Sequence, residues 1–151
     1  MEYKHINRFS KFFLKLPYFF YSERTSVLYG KRLIQITTVG RTSNTQRATL
    51  LEVIGMCNTS PVVIAAFGEN SDWVKNLRKN PKTIVVWSNK KYESDVFWLD
   101  KKDSENILKS YKKDYPNLVK FYERLMKMGW DDFSNLPVCS FPEKSTSNSS
   151  L

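Results

Sequence analysis

Residues 32–55 read "RLIQITTVGRTSNTQRATLLEVIG", two β-branched, apolar runs on either side of a Gly-Arg-Thr-Ser-Asn turn. Side chains alternate faces along a strand, and β-branched residues suit that pleated surface. RLIQITTV and RATLLEVIG are therefore expected to form the two arms of an antiparallel hairpin. Arg41 and Arg47 flank its turn. Two guanidinium forks beside turn N–H groups make a donor set suited to phosphate. Two solvated arginines at a hairpin end are the plain alternative.

The same period extends outward. "MCNTSP" separates the hairpin from "VVIAAF", giving a three-strand meander, and "KTIVVWS", the turn "NKK" and "YESDVFWLD" form a second antiparallel pair. Between them "SDWVKNLRKNP" is expected to be a short helix with Ser71 as N-cap and Asp72 complementing the helix dipole. Asp103 or Ser104 is expected to cap a helix running through Tyr115, which Pro116 interrupts before a further helical run from Leu118 to Met128. "LPVCSF" reads as a sixth strand. The pattern predicts a mainly β fold with flanking helices, a small six-stranded antiparallel barrel rather than an α/β sheet or a bundle.

A chain of 151 residues with 41% hydrophobic and 15% aromatic residues is large enough for one domain with one core. Three stretches are expected: a basic N-terminal segment over residues 1–31, a barrel over 32–142 and a disordered tail over 143–151. The net charge is +9, and residues 1–47 hold nine Lys/Arg against Glu2 and Glu23. Such a field calls for an anionic partner. Nucleic acid is the minor reading, because the chain has no helix-turn-helix, zinc-finger or aromatic RNA-binding pattern. Ile6, Phe9, Phe12, Phe13 and Leu16 recur at helical spacing opposite Lys4, Arg8, Lys11 and Lys15. That helix is expected to dock on the core or to touch an anionic membrane peripherally. The apolar window at residues 12–21 holds Lys15 and Pro17 and is too short to span a bilayer. Cys57 and Cys139 lack metal or redox spacing and suggest reduced thiols in a cytoplasmic protein, and the single histidine, His5, excludes a His-based metal cluster or a Ser-His-Asp triad.

The order "ITTVGRTSNTQRATLLEV", "VVIAAFGENSDWVKNLRKNP" and "LPVCSF" resembles the deazaflavin-dependent nitroreductase family, in its nitroreductase and quinone reductase branch. Members carry Gly-Arg-(Lys/Arg)-Ser-Gly-x-x-Arg on a hairpin and then Trp-x-x-Asn-Leu-x-x-Asn-Pro. The resemblance implies a split β-barrel of the FMN-binding type with coenzyme F420, an 8-hydroxy-5-deazaflavin with a phosphodiester and an oligoglutamate tail. It implies that Arg41 and Arg47 hold the phosphodiester and first carboxylates. Thr42 stands where the family has Lys or Arg, and Asn44 stands where it has Gly, so one cationic contact is missing and Asn44 is expected to take the left-handed conformation. By the same resemblance Ser43, Thr49, Leu50 and Leu51 line the hairpin side. Ala65, Ala66 and Phe67 border the ring, and Ser71, Asp72, Trp73 and Asn76 close the groove.

The implied activity is hydride transfer from reduced F420 to a quinone, nitroaromatic or similar small-molecule electron acceptor, and no residue of the chain is assigned a catalytic proton. The density of aromatics in the N-terminal segment makes Tyr18, Phe20 and Tyr21 the expected acceptor contacts. FMN is the runner-up cofactor, and a non-enzymatic coenzyme- or polyanion-binding module is the rival outside enzymology. Barrels of this type often pair across their sheets, which leaves room for a homodimer.

Overall fold

The alternation that runs through residues 33–39 becomes strand β1, Leu33–Val39, in which Ile34, Ile36 and Thr38 are buried and their neighbours only partly so. A computed structural model of the chain describes residues 31–144. The expectations placed on the N-terminal helix and on Tyr18, Phe20 and Tyr21 lie outside the described residues.

Strand β2, Gln46–Cys57, pairs antiparallel with β1, and β3, Ser60–Ile64, returns beside it as the expected meander. A 3-10 turn, Gly68–Asn70, leads into helix α1, Asp72–Lys79. Strand β4, Lys82–Trp87, pairs with β1 on its other side. Ser88 and Asn89, both at positive φ, turn the chain into β5, Lys90–Asp95. Then come β6, Phe97–Trp98, the helices α2, Lys101–Asp114, α3, Pro116–Met126, and α4, Trp130–Ser134, and the last strand β7, Val138–Ser140.

The described sheet has seven strands, not six, in the order β5-β4-β1-β2-β3-β7-β6. The difference lies in "YESDVFWLD", which bends at Val96. β5 pairs with β4, whereas β6 pairs with β7 at the opposite end of the order. Since β5 and β6 are separated by one residue, the two ends of the sheet must meet, and the sheet curls into a half-barrel. Contacts across the seam agree: Tyr92 Oη donates to the Phe141 carbonyl at 2.8 Å, and the Lys144 N–H donates to the Glu93 carbonyl at 3.2 Å. Of the expected tail, Glu143 and Lys144 are thereby tied to β5, with ion pairs from Lys90 to Glu143 and from Lys144 to Asp95.

Each face of the curled sheet carries its own apolar cluster. Inside, Ile34, Ile36, Val63, Val85, Trp87, Cys139 and Phe141 pack with Trp73, Val74 and Leu77 of α1, which plugs the barrel. Outside, Ile54 and Val62 pack beneath Leu108 and Tyr111 of α2, Val119 of α3 and Phe133 of α4. Burial pushes the Cys139 thiol well above its ordinary range, so it behaves as a small apolar residue. Asp100, rather than Asp103 or Ser104, caps α2, its carboxylate accepting from the Asp103 N–H at 2.8 Å. The cap lies upstream of the expected position because strand pairing ends at Trp98. No helix among the described residues is long and apolar enough to cross a membrane.

Candidate cofactor site

Directly opposed residues of an antiparallel pair share a face. The register Ile34↔Leu51, Ile36↔Thr49 and Thr38↔Arg47 therefore puts Arg47, Thr49 and Leu51 on the inner face, the one that α1 covers. Leu50 and Glu52 lie on the outer face. Arg47 is exposed at the rim of that inner face, opposite buried Thr38.

The turn between β1 and β2 is held from below. The Gly40 N–H donates to the Thr45 carbonyl at 2.8 Å, the Asn44 N–H donates to the Gly40 carbonyl at 3.0 Å, and Asn44 takes the expected left-handed conformation with φ 54°. Ser43 Oγ sits 2.8 Å from Thr45 Oγ1, and a Cβ on Gly40 would lie 2.3 Å from Ser43 Oγ and 3.3 Å from the Thr45 carbonyl oxygen, so a larger residue there would displace the serine hydroxyl. Thr42 and Ser43 are exposed at the tip.

Arg41 reaches down onto α1. Its main-chain N–H and its Nη1 both donate to Asn76 Oδ1, at 3.1 and 3.0 Å, and its Nη2 lies 3.2 Å from Asp72 Oδ1. Its carbonyl accepts from Lys79 Nζ at 2.8 Å. Residues 72, 76 and 79 fall on one helical stripe. Buried Asn76 also donates from Nδ2 to Thr38 Oγ1 at 3.2 Å. The hairpin turn and helix α1 thus join in one polar bracket.

The remaining expected residues gather around α1. Ser71 occupies its N-cap position, but the hydroxyl makes no capping bond, and Oγ is buried without a partner among the described residues. Trp73 is buried in the inner core, its ring stacked on Trp98 at 6.4 Å between centroids. Ala65 is buried, with its N–H donating to the Pro137 carbonyl, while Ala66 and Phe67 are half-buried at the approach to Gly68, whose φ of 72° suits glycine.

Sequence reasoning missed several polar groups. Thr38 and Lys79 carry no signal in the sequence that marks them as partners of Asn76 and Arg41. Arg78 stacks over Trp98 at 3.8 Å and forms a fork with Glu69, at 2.7 Å to one carboxylate oxygen and 3.4 Å to the other, which pins the Gly68–Asn70 turn to α1. On the outer face Glu52 accepts from Tyr111 Oη at 2.9 Å and from Tyr122 Oη, with Arg32 at 3.6 Å. Burial raises both phenols, and the hydrogen-bonded Glu52 carboxylate raises them further. Such long-range partners carry no local spacing.

The residues present suit a flat ring with an anionic tail. An exposed guanidinium at the rim, turn hydroxyls at Thr42 and Ser43, and a buried hydroxyl at the head of α1 provide donors, and half-buried Ala66, Phe67 and Leu51 provide apolar surface.

The model of the F420H(2)-dependent quinone reductase family matches residues 21–128. Among solved structures, one described as F420-H2 dependent reductase (FDR-A) is 20% identical, with 75% of this chain and 96% of that chain covered and a TM-score of 0.55. A structure described as a domain-swapped dimer is 19% identical over 75% and 81% of the two chains, with a TM-score of 0.56. A NimC/NimA family protein from Clostridium acetobutylicum is 14% identical over 79% and 80%, with a TM-score of 0.51. At these identities the structural likeness speaks for the fold. No curated protein matches the chain.

Proposed function

The chain belongs to the F420H(2)-dependent quinone reductase family, and on that premise we propose that its electron acceptor is a quinone and that the half-barrel is a split barrel of the FMN-binding type. It is an F420H2-dependent reductase, with coenzyme F420 as its cofactor. When bound, the reduced deazaflavin supplies the hydride. The protein's part is to hold ring and acceptor together and to keep water from the ring.

In this reading Arg47 binds the phosphodiester, a charge-assisted contact contributing roughly 1.5–3 kcal/mol. Thr42 and Ser43 offer hydroxyls to the same group. Leu51 and Thr49 flank the tricycle with Ala65, Ala66 and Phe67, Leu50 facing away from it, and Ser71, Asp72 and Trp73 border it from α1. Tyr18, Phe20 and Tyr21 contact the acceptor. The quinone gains two electrons with the hydride and one proton from water to become the quinol, so no side chain need act as an acid. Pairing of two copies is part of the proposal, as the domain-swapped relative is a dimer by its description.

The single observation that supports this reading best is the placement of Arg47 opposite Thr38, on the sheet face that α1 covers. Its test is a fluorescence titration with F420 and with FMN, followed by an anaerobic acceptor screen. Saturable binding of F420 in preference to FMN, and faster oxidation of F420H2 by quinones than by nitroaromatics, is the expected result. Preference for FMN overturns the cofactor site, and preference for nitroaromatics overturns the acceptor alone. Replacing Tyr18, Phe20 and Tyr21 together should alter acceptor turnover while sparing coenzyme affinity.

A further inference from the structure

We infer that Arg41 and Asn76 are positioning residues, a latch that fixes the hairpin turn on helix α1 so that Arg47 alone of the two arginines grips the coenzyme phosphodiester. The inference rests on the cofactor reading above and divides the labour within it.

Arg41 is engaged at four points with α1: main-chain N–H and Nη1 on Asn76 Oδ1, Nη2 on Asp72, and carbonyl on Lys79 Nζ. With one N–H of each terminal nitrogen and the main chain committed to one helix, the guanidinium is held against α1, and its remaining N–H donors lie where that helix fixes them. Asn76 is 3% exposed, and its oxygen already accepts two hydrogen bonds. Its nitrogen donates to Thr38. An amide so placed is available to the fold and not to a ligand. Arg47 differs in every respect: it is exposed, it follows the turn, and its register partner is the threonine that Asn76 holds.

The latch therefore joins three pieces whose relative placement sets where Arg47 stands: the turn through Arg41, strand β1 through Thr38, and α1 through Asn76. Holding a binding group in place before the ligand arrives removes an ordering cost from binding. Loss of the latch should lower coenzyme affinity without removing any group that touches the coenzyme.

A double-mutant cycle on F420 affinity separates contact from positioning. Arg47→Ala is expected to weaken F420 binding about tenfold or more, and Arg41→Ala and Asn76→Ala by roughly threefold to tenfold each. In the Arg47→Ala background, adding Arg41→Ala or Asn76→Ala should change affinity less than about twofold, because the latch acts through Arg47. Full additivity of Arg41→Ala with Arg47→Ala would overturn the inference, showing that Arg41 makes its own contact. An unchanged affinity in single Arg41→Ala and Asn76→Ala variants would overturn it too.

Asn76→Asp keeps acceptors for Arg41 while losing the donor to Thr38, and serves if Asn76→Ala does not fold. The slope of log Kd against log salt adds an independent reading. It should fall in Arg47→Ala and, although no charge is removed, in Asn76→Ala as well. Failure of the parent protein to bind F420 at all would instead strike the cofactor reading.

Discussion

Tyr111 donates its phenolic hydrogen to Glu52 across 2.9 Å, a bond between helix α2 and strand β2 on the outer face of the barrel. Tyr122 of α3 donates to the other carboxylate oxygen, so one side chain anchors two helices. Glu52→Ala should cost about 2–4 kcal/mol, since it leaves two partly buried hydroxyls without their acceptor. Glu52→Gln, which keeps one acceptor oxygen, should cost less. Urea denaturation of the two variants checks the order.

The same phenols predict behaviour at high pH. Burial first, and Glu52 second, hold Tyr111 and Tyr122 above the ordinary value of 10.0, and burial followed by Glu143 does the same for Tyr92. Below about pH 10 each is protonated whether the chain is folded or not, and stability is unaffected. Above it the unfolded chain loses phenolic protons that the folded chain retains, and unfolding becomes easier. The urea midpoint should therefore fall as pH rises through 10 to 11, with a shallower fall in Tyr122→Phe.

Gly55 tests how closely α2 lies on β2. A Cβ built there would approach Ile107 Cγ2 to 2.8 Å. Gly55→Ala should thus lower stability by about 1–3 kcal/mol through overpacking, and Ile107→Ala in the same chain should recover part of it. Thermal melts of the single and double variants decide.

Asn44 stands at φ 54° in the turn that carries the arginines. Asn44→Gly should be neutral or stabilising by up to about 1 kcal/mol, whereas Asn44→Val should destabilise by about 1–2 kcal/mol, because a β-branched residue resists this conformation. Paired melting curves would show the order, and the reverse order would refute it.

Asp100→Ala should remove the cap of α2 at a cost of about 1 kcal/mol. Ser104→Ala, at the position first expected to cap, should not reproduce that loss through capping. Denaturant midpoints distinguish the two positions.

Much of this fold is legible because the decisive signals are local. Alternation of Ile34, Ile36 and Thr38 marks a strand with one buried face, and Asn44 reads as a turn residue whatever surrounds it. The bend at Val96 is not legible, since a β-branched residue within an apolar run signals continuation, and only the distant pairings of β5 and β6 split it. The short helix α4 sits after Gly129 within a run too brief for a period to show. At the candidate site, the residue types and their order pointed to an anion. That Arg41 turns toward Asn76, 35 residues away, is a fact of tertiary packing and leaves no trace in spacing.

The one-residue step from β5 to β6 has a consequence for how the chain is made. A curled sheet joined this way is complete only when β7 arrives to lie between β3 and β6. During synthesis both flanks of that gap stand bare until residue 140 has left the ribosome. A product cut short before Val138 would keep them bare permanently, two unsatisfied rows of amides and carbonyls inviting assembly with copies of itself.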